Sequence, residues 1–204
     1  CKSFILLTDS FKMETLQEQR RRAAKPLLWI GIGSIIMAFA GLTSGYVVSR
    51  TTLVMNEQWM TFALPKAFIY STVVIVLSSL ALIWGKRQLV AGKDSAIKPM
   101  LWVTLLLGFA FLWFQGGAWT ELMANNIYFA GAQSHPAGSW VYALFLFHGL
   151  HVAGGIIALL VVLFRAYRGR YSSADYHGIT LVSIYWHFVD LLWLYLYVFL
   201  SAIR

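Results

Sequence analysis

A chain of 204 residues that is 59% hydrophobic and 12% charged is not an ordinary water-soluble domain, since such domains carry about 25% charged residues. Its formal charge of +8 rests on only 16 Lys and Arg against 8 Asp and Glu, and its single cysteine excludes an internal disulfide. In lipid every backbone N–H and C=O must be paired within the protein, so only helices or closed barrels can span. The apolar residues here come in long runs rather than alternating ones, which selects helices.

Residues 1–26 read as a cytoplasmic N-terminal segment, in which Glu14 to Lys25 is charged and helical in composition and is expected at the membrane surface or partly disordered. Cys1 could be read as a lipid-anchored N-terminus. That would put residue 1 outside the cell, whereas Arg20-Arg21-Arg22 reads as cytoplasmic and no apolar stretch between them is long enough to cross. Met13 reads as the natural start.

Residues 27–204 read as a transmembrane domain of five spans, each needing roughly 20 apolar residues. The first runs from about Leu27 to Ser49. The second runs from about Lys66 to Trp84 and is entered through Pro65. The third runs from about Pro99 to Trp119, the fourth from about Ser139 to Phe164, and the fifth from about Ile179 to Ile203. Proline at a helix entry costs little, because the first-turn N–H has no partner in any case. The connection Glu121 to Gly138 is long and mildly apolar, suited to rest on a partner or on the lipid interface.

With the N-terminus inside, thirteen of the sixteen Lys and Arg fall on inner segments; Arg50, Lys66 and Arg204 fall outside. Cytoplasmic segments of membrane proteins collect Lys and Arg, so the expectation is a cytoplasmic N-terminus and a periplasmic C-terminus. Topology and attraction to anionic lipid account for the basic excess, and no nucleic-acid partner is needed.

Ionisable residues within a membrane are expensive and mark functional or structural sites. The fourth span carries His148 and His151, and the fifth carries His187 and Asp190. Each pair is spaced i, i+3 and shares a helix face. At about 1.5 Å per residue, His151 and Asp190 fall at nearly the same depth. The expectation is a contact between these two residues, forming a polar cluster between the fourth and fifth helices. Such a cluster could ligate a metal or haem, relay protons, or clasp two helices together, the last stabilising by about 1 kcal/mol. Lys86, Arg87, Arg165 and His177 stand at the inner ends and are candidates for phospholipid headgroups as well as ordinary topology charges. Gly41-x-x-x-Gly45, Gly116-Gly117 and Gly154-Gly155 are candidate points of close helix approach.

The run F-H-G-L-H-V (Phe147 to Val152) followed by Y-W-H-F-V-D-L-L-W (Tyr185 to Trp193) resembles subunit III of the haem-copper terminal oxidases. Leu64-Pro65, Ser71-Thr72 and Ser78-Ser79 resemble that family's second-helix pattern, with Ser71 where Asn is usual. Phe164-Arg165 resembles the inner end of its fourth helix. The similarity runs from about Trp29 to the C-terminus and is to the bacterial five-helix form.

The resemblance implies a non-catalytic subunit of a proton-translocating cytochrome c oxidase complex in the bacterial inner (plasma) membrane. It implies no redox cofactor in this subunit, with haem and copper in partner subunits, and a bound phospholipid. It further implies packing against subunit I among other oxidase subunits, support of proton uptake while dioxygen is reduced to water, and a possible place in a respiratory supercomplex. A quinol oxidase subunit III, a subunit III-like accessory protein of a nitric oxide reductase, and a stand-alone b-type cytochrome are the alternatives. The chain departs from the family's pattern at three carboxylate positions: Ile35 follows Ser34, Ala118 stands three residues after Gln115, and Thr180 occupies the start of the last helix.

Overall fold

A computed structural model describes residues 2–131, 134–173 and 175–203, with the side chains of 2–17 excepted. Cys1 and Arg204, which entered the anchor and topology arguments above, lie outside the described residues. The chain folds into α1 (Lys2–Met55), α2 (Ala67–Val90), a 3-10 turn (Asp94–Ala96), α3 (Ile97–Ala124), α4 (Pro136–Tyr167) and α5 (His177–Ile203). All five α-helices are long and apolar enough to cross a membrane, with mean hydropathy of 1.5 to 2.2 over the most apolar stretch of each. The described residues hold no strand.

Every helix extends past at least one of its predicted ends, most of all α1. Residues 1–26 and the first span were expected to be distinct segments, yet the helix runs through Pro26 without interruption. Proline withholds one N–H from the helical ladder and kinks or strains a helix interior. The turns before Pro26 carry a Glu18–Arg22 pair on one helix face and Arg21, which reaches Asp175 in the α4–α5 connection at 2.6 Å.

Four helices end in one way. After α1, α2, α3 and α4 the chain makes a paired 6→1 and 5→2 set of backbone bonds, which satisfies carbonyls the helix leaves open. In α2 these are Lys93 N–H to Gln88 O and Gly92 N–H to Leu89 O, both 3.0 Å. The geometry demands a left-handed residue just past the end. Gly92 and Gly169 fill it for α2 and α4, Asn126 for α3, and Glu57, at φ 55°, for α1.

The α1 N-terminal half, the α2–α3 connection and the α4–α5 connection gather at one end of the bundle. Besides the Arg21–Asp175 pair, Ser173 N–H bonds Asp94 Oδ1 at 3.1 Å there. At the other end His135 caps α4: its Nδ1 accepts from Ala137 N–H at 3.1 Å while its Nε2 bonds Gln58 O at 2.6 Å. The α3–α4 connection folds back on its own bundle there, with Ile127 buried and its carbonyl accepting from Tyr142 Oη at 2.9 Å.

The outside of the bundle is apolar, with Met37, Trp113, Leu106 and Leu191 largely exposed. Lipid supplies no hydrophobic drive between helices, so packing and interhelical hydrogen bonds must hold them. The core is built accordingly. Trp186 of α5 is 1% exposed and slots between two glycines. A Cβ on Gly108 of α3 would lie 2.8 Å from its ring, and one on Gly155 of α4 would lie 2.9 Å away. Of the glycine pairs expected to admit close approach, Gly155 and Gly45 do so, the latter against Trp140. Gly41, Gly116 and Gly117 face open space, and Gly154 is only in ordinary contact range.

Candidate functional site

The polar centre of the bundle is a seam between α2 and α5. On α5, Trp186, His187, Asp190 and Trp193 fall at helical spacings that turn them toward α2. On α2, Thr72, Ser78 and Ser79 are two turns apart and answer them. Trp186 Nε1 donates to Ser78 Oγ and Trp193 Nε1 donates to Thr72 Oγ1, both at 2.9 Å. On α5 Asp190 falls between these two anchors; Ser79 Oγ, next to Ser78 on α2, donates to Asp190 Oδ2 and stands 2.9 Å from His187 Nδ1. His187 Nε2 lies 3.1 Å from Ser183 Oγ one turn earlier on α5. Gln115 of α3 extends the polar interior toward the opposite end by donating to Ser71 Oγ at 3.2 Å.

Asp190 is 5% exposed, and its Oδ1 has no hydrogen-bond partner among the described residues. No Lys or Arg pairs with it; the described ion pairs are Arg21–Asp175 and Arg22–Glu18. The seam therefore holds a buried acid, an imidazole and two hydroxyls in one unbroken row of hydrogen bonds.

The structure corrects the expected contact between His151 and Asp190. The two side chains take different partners. His151 Nδ1 bonds the Phe147 carbonyl of its own helix at 2.7 Å, and its ring meets Phe39 of α1 edge-on at 5.7 Å. Asp190 turns to α2. The tie from α5 to this part of α4 is made instead by Tyr185 Oη, which donates to the His151 backbone carbonyl at 3.0 Å. His148 is buried at 1% exposure, wedged between Phe111 and Trp193 with ring centroids 5.8 and 5.3 Å away. Neither of its nitrogens has a hydrogen-bond partner among the described residues. Of the four residues expected to cluster, only His187 and Asp190 share one hydrogen-bond network. No three His, Cys, Asp or Glu side chains among the described residues are placed to hold one metal ion.

The four lipid candidates divide between two cavities at the basic end. Arg165 and His177 line one of about 520 Å³ together with Arg20, Arg21 and Arg170. Lys86 and Arg87 line another, of about 410 Å³, beside Ser183 and His187. A third, apolar groove of about 300 Å³ runs between α1 and α5, past Phe39, Leu191 and Tyr195.

Sequence reasoning missed three contributors. Ser79 entered only as part of the second-helix resemblance, although hydroxyls six and seven residues after Thr72 and opposite a Trp/Asp stripe were a usable signal. Trp186 entered only as a letter of the Y-W-H-F-V-D-L-L-W run. His135 passed unnoticed, although a polar residue before Pro136 marks a helix start.

Comparison with known proteins places these helices in context. The family model described as Cytochrome c oxidase subunit III matches residues 32–202. A probable cytochrome c oxidase subunit 3 of Nocardia farcinica is 30% identical over 196 residues, covering 95% of this chain and 93% of the relative. The cytochrome c oxidase subunit 3 of Thermostichus vulcanus is 29% identical over 168 residues, covering 80% and 79%. The cytochrome c oxidase subunit 3 of Oncorhynchus clarkii is 33% identical over 131 residues, covering 63% and 47%.

Proposed function

This chain belongs to the cytochrome c oxidase subunit III family, and on that premise we propose that it is the supporting, non-redox subunit of a bacterial aerobic terminal oxidase. Family membership and five spanning helices make it a multi-pass membrane protein with a place in a cytochrome c oxidase complex. In the proposed role it packs on subunit I in the inner membrane, with its basic end in the cytoplasm, and sustains proton uptake while dioxygen is reduced to water. The observation that carries this reading is the match over residues 32–202, which takes in the whole α2–α5 seam.

The arrangement of donors supports a supporting rather than a redox role. His187 and Asp190 are committed to Ser79, and His151 to its own backbone. His148 is enclosed by Phe111 and Trp193. The named relatives favour the cytochrome c type over the quinol oxidase and nitric oxide reductase alternatives.

A phospholipid is part of the proposed role. Arg165, His177, Arg20 and Arg170 converge on one cavity, which Arg21 and its partner Asp175 also line, and arginine binds phosphate through paired, charge-assisted hydrogen bonds. The apolar groove past Phe39 and Leu191 is of a kind an acyl chain fills. Lys86 and Arg87 line a separate cavity, and the proposed headgroup site is the one with Arg165 and His177.

Purification through a tag on this chain tests the assignment. A haem-copper catalytic subunit should co-purify in stoichiometric amount; a chain that purifies without one rejects the proposal.

A further inference from the structure

We infer that Ser183, His187, Ser79 and Asp190 form a proton-loading site, filled from the cavity beside Lys86 and Arg87, in which one proton is held on Asp190. This deepens the proton-supply half of the reading above and rests on it for its use, but the chemistry belongs to this chain alone.

The row of bonds is continuous. Ser183 and His187 line a cavity of about 410 Å³ at the basic end of α2 and α5. From there the links run Ser183 Oγ to His187 Nε2 at 3.1 Å, His187 Nδ1 to Ser79 Oγ at 2.9 Å, and Ser79 Oγ to Asp190 Oδ2. Each member is both donor and acceptor in one of its protonation states. The row can therefore point either way without losing a bond.

With the site empty, Ser183 donates to Nε2, Nδ1–H donates to Ser79, and Ser79 donates to the Asp190 carboxylate. Loading begins when a hydronium ion in the cavity gives its proton to Ser183 Oγ. Ser183 passes its own hydrogen to Nε2, the Nδ1–H bond breaks in favour of Ser79, and the Ser79 hydrogen moves to Oδ2. One proton has entered, water is left in the cavity, Asp190 is a neutral acid and His187 is neutral in the opposite tautomer. Every hydrogen bond is now reversed.

The surroundings favour an acid that exchanges rather than a fixed charge. An unpaired carboxylate in an apolar interior is heavily penalised. Asp190 has no cationic partner, and its Oδ1 is unbonded among the described residues. Groups on the helices packed around it do not compete. On α4, His151 is bonded to Phe147 O and His148 is packed on Trp193. From α3, Gly108 meets Trp186 and Phe111 meets Trp193. The groove that α1 forms with α5 is lined by Ile36 and Phe39. On α5, Tyr185 donates to a backbone carbonyl. Lys86 and Arg87 of α2 share the entry cavity, where they set its charge.

The test uses the full chain in lipid nanodiscs, titrated while two signals are followed: the carboxylic-acid C=O infrared band and the His187 ring-nitrogen resonances. The expected result is an acid band that is lost in Asp190→Asn. As that band appears on acidification, His187 should switch from the Nδ1–H to the Nε2–H tautomer at the same midpoint. Ser79→Ala should separate the two events and Ser79→Thr should restore their coupling. The proposal is overturned if no acid band titrates. It is equally overturned if His187 keeps one tautomer while Asp190 titrates, or if Ser79→Ala leaves the two midpoints together. Because no partner subunit is present, these outcomes are independent of whether the chain supports an oxidase.

Discussion

Ser79 of α2 donates a hydrogen bond to Asp190 of α5, and this contact joins two helices that are far apart in the chain. Together with the Trp186–Ser78 and Trp193–Thr72 bonds it pins one face of α5 to α2. The polar centre of this protein is thus a second-to-fifth-helix seam.

Asp190→Ala leaves Ser79 Oγ without its carboxylate acceptor. Loss of one partner of a buried hydrogen bond costs about 1–3 kcal/mol. A lower melting temperature of the purified chain in detergent is expected, and weaker retention in the oxidase complex. His151→Ala removes no contact to Asp190 and should leave both measurements much nearer wild type.

Adjacent glycines on α4 should respond unequally to added bulk. Gly155→Val drives side-chain atoms into the Trp186 ring, which a Cβ alone would approach to 2.9 Å. Overpacking of this kind costs about 1–3 kcal/mol. Gly154→Val meets only Tyr185 Oη, at 3.6 Å from the Cβ. Thermal melts of the two variants, side by side, should show the larger loss for position 155.

Glu57 occupies a left-handed position at φ 55° that its counterparts after α2 and α4 fill with glycine. The left-handed conformation costs a side-chain-bearing residue about 1–2 kcal/mol. Glu57→Gly should therefore raise stability, while Gly169→Ala should lower it. Denaturant titration of the two variants checks the opposite signs.

The headgroup reading predicts a selective loss of lipid. Arg165→Ala with Arg20→Ala should reduce the anionic phospholipid that co-purifies with the chain, as measured by mass spectrometry of the extracted lipid. Lys86→Ala, in the other cavity, should not.

The sequence carried the spans and their approximate ends, because an apolar run of this length has one physical outcome in a membrane. It also singled out His187 and Asp190. What it did not carry was rotation about the helix axes. Rise per residue predicts His151 level with Asp190, but rotation about the helix axes turns one toward Phe39 and the other toward Ser79. The same gap explains the glycines. A G-x-x-x-G spacing marks where backbones could meet, yet Gly41 faces open space while Gly108, alone in its turn, receives Trp186. Matching the Thr72, Ser78 and Ser79 stripe to the Trp186, His187, Asp190 and Trp193 stripe was within reach of periodicity. Helix order in the sequence argued instead for the α4–α5 pair.

Comparing the oxidase complex purified with and without this chain tests the supporting role most directly. Reduced-minus-oxidised spectra and sustained turnover would both be recorded, normalised to the catalytic subunit. The account predicts identical haem bands in the two preparations and a shorter working lifetime without the chain. A haem band that disappears with the chain, or turnover that lasts equally long without it, would contradict the account.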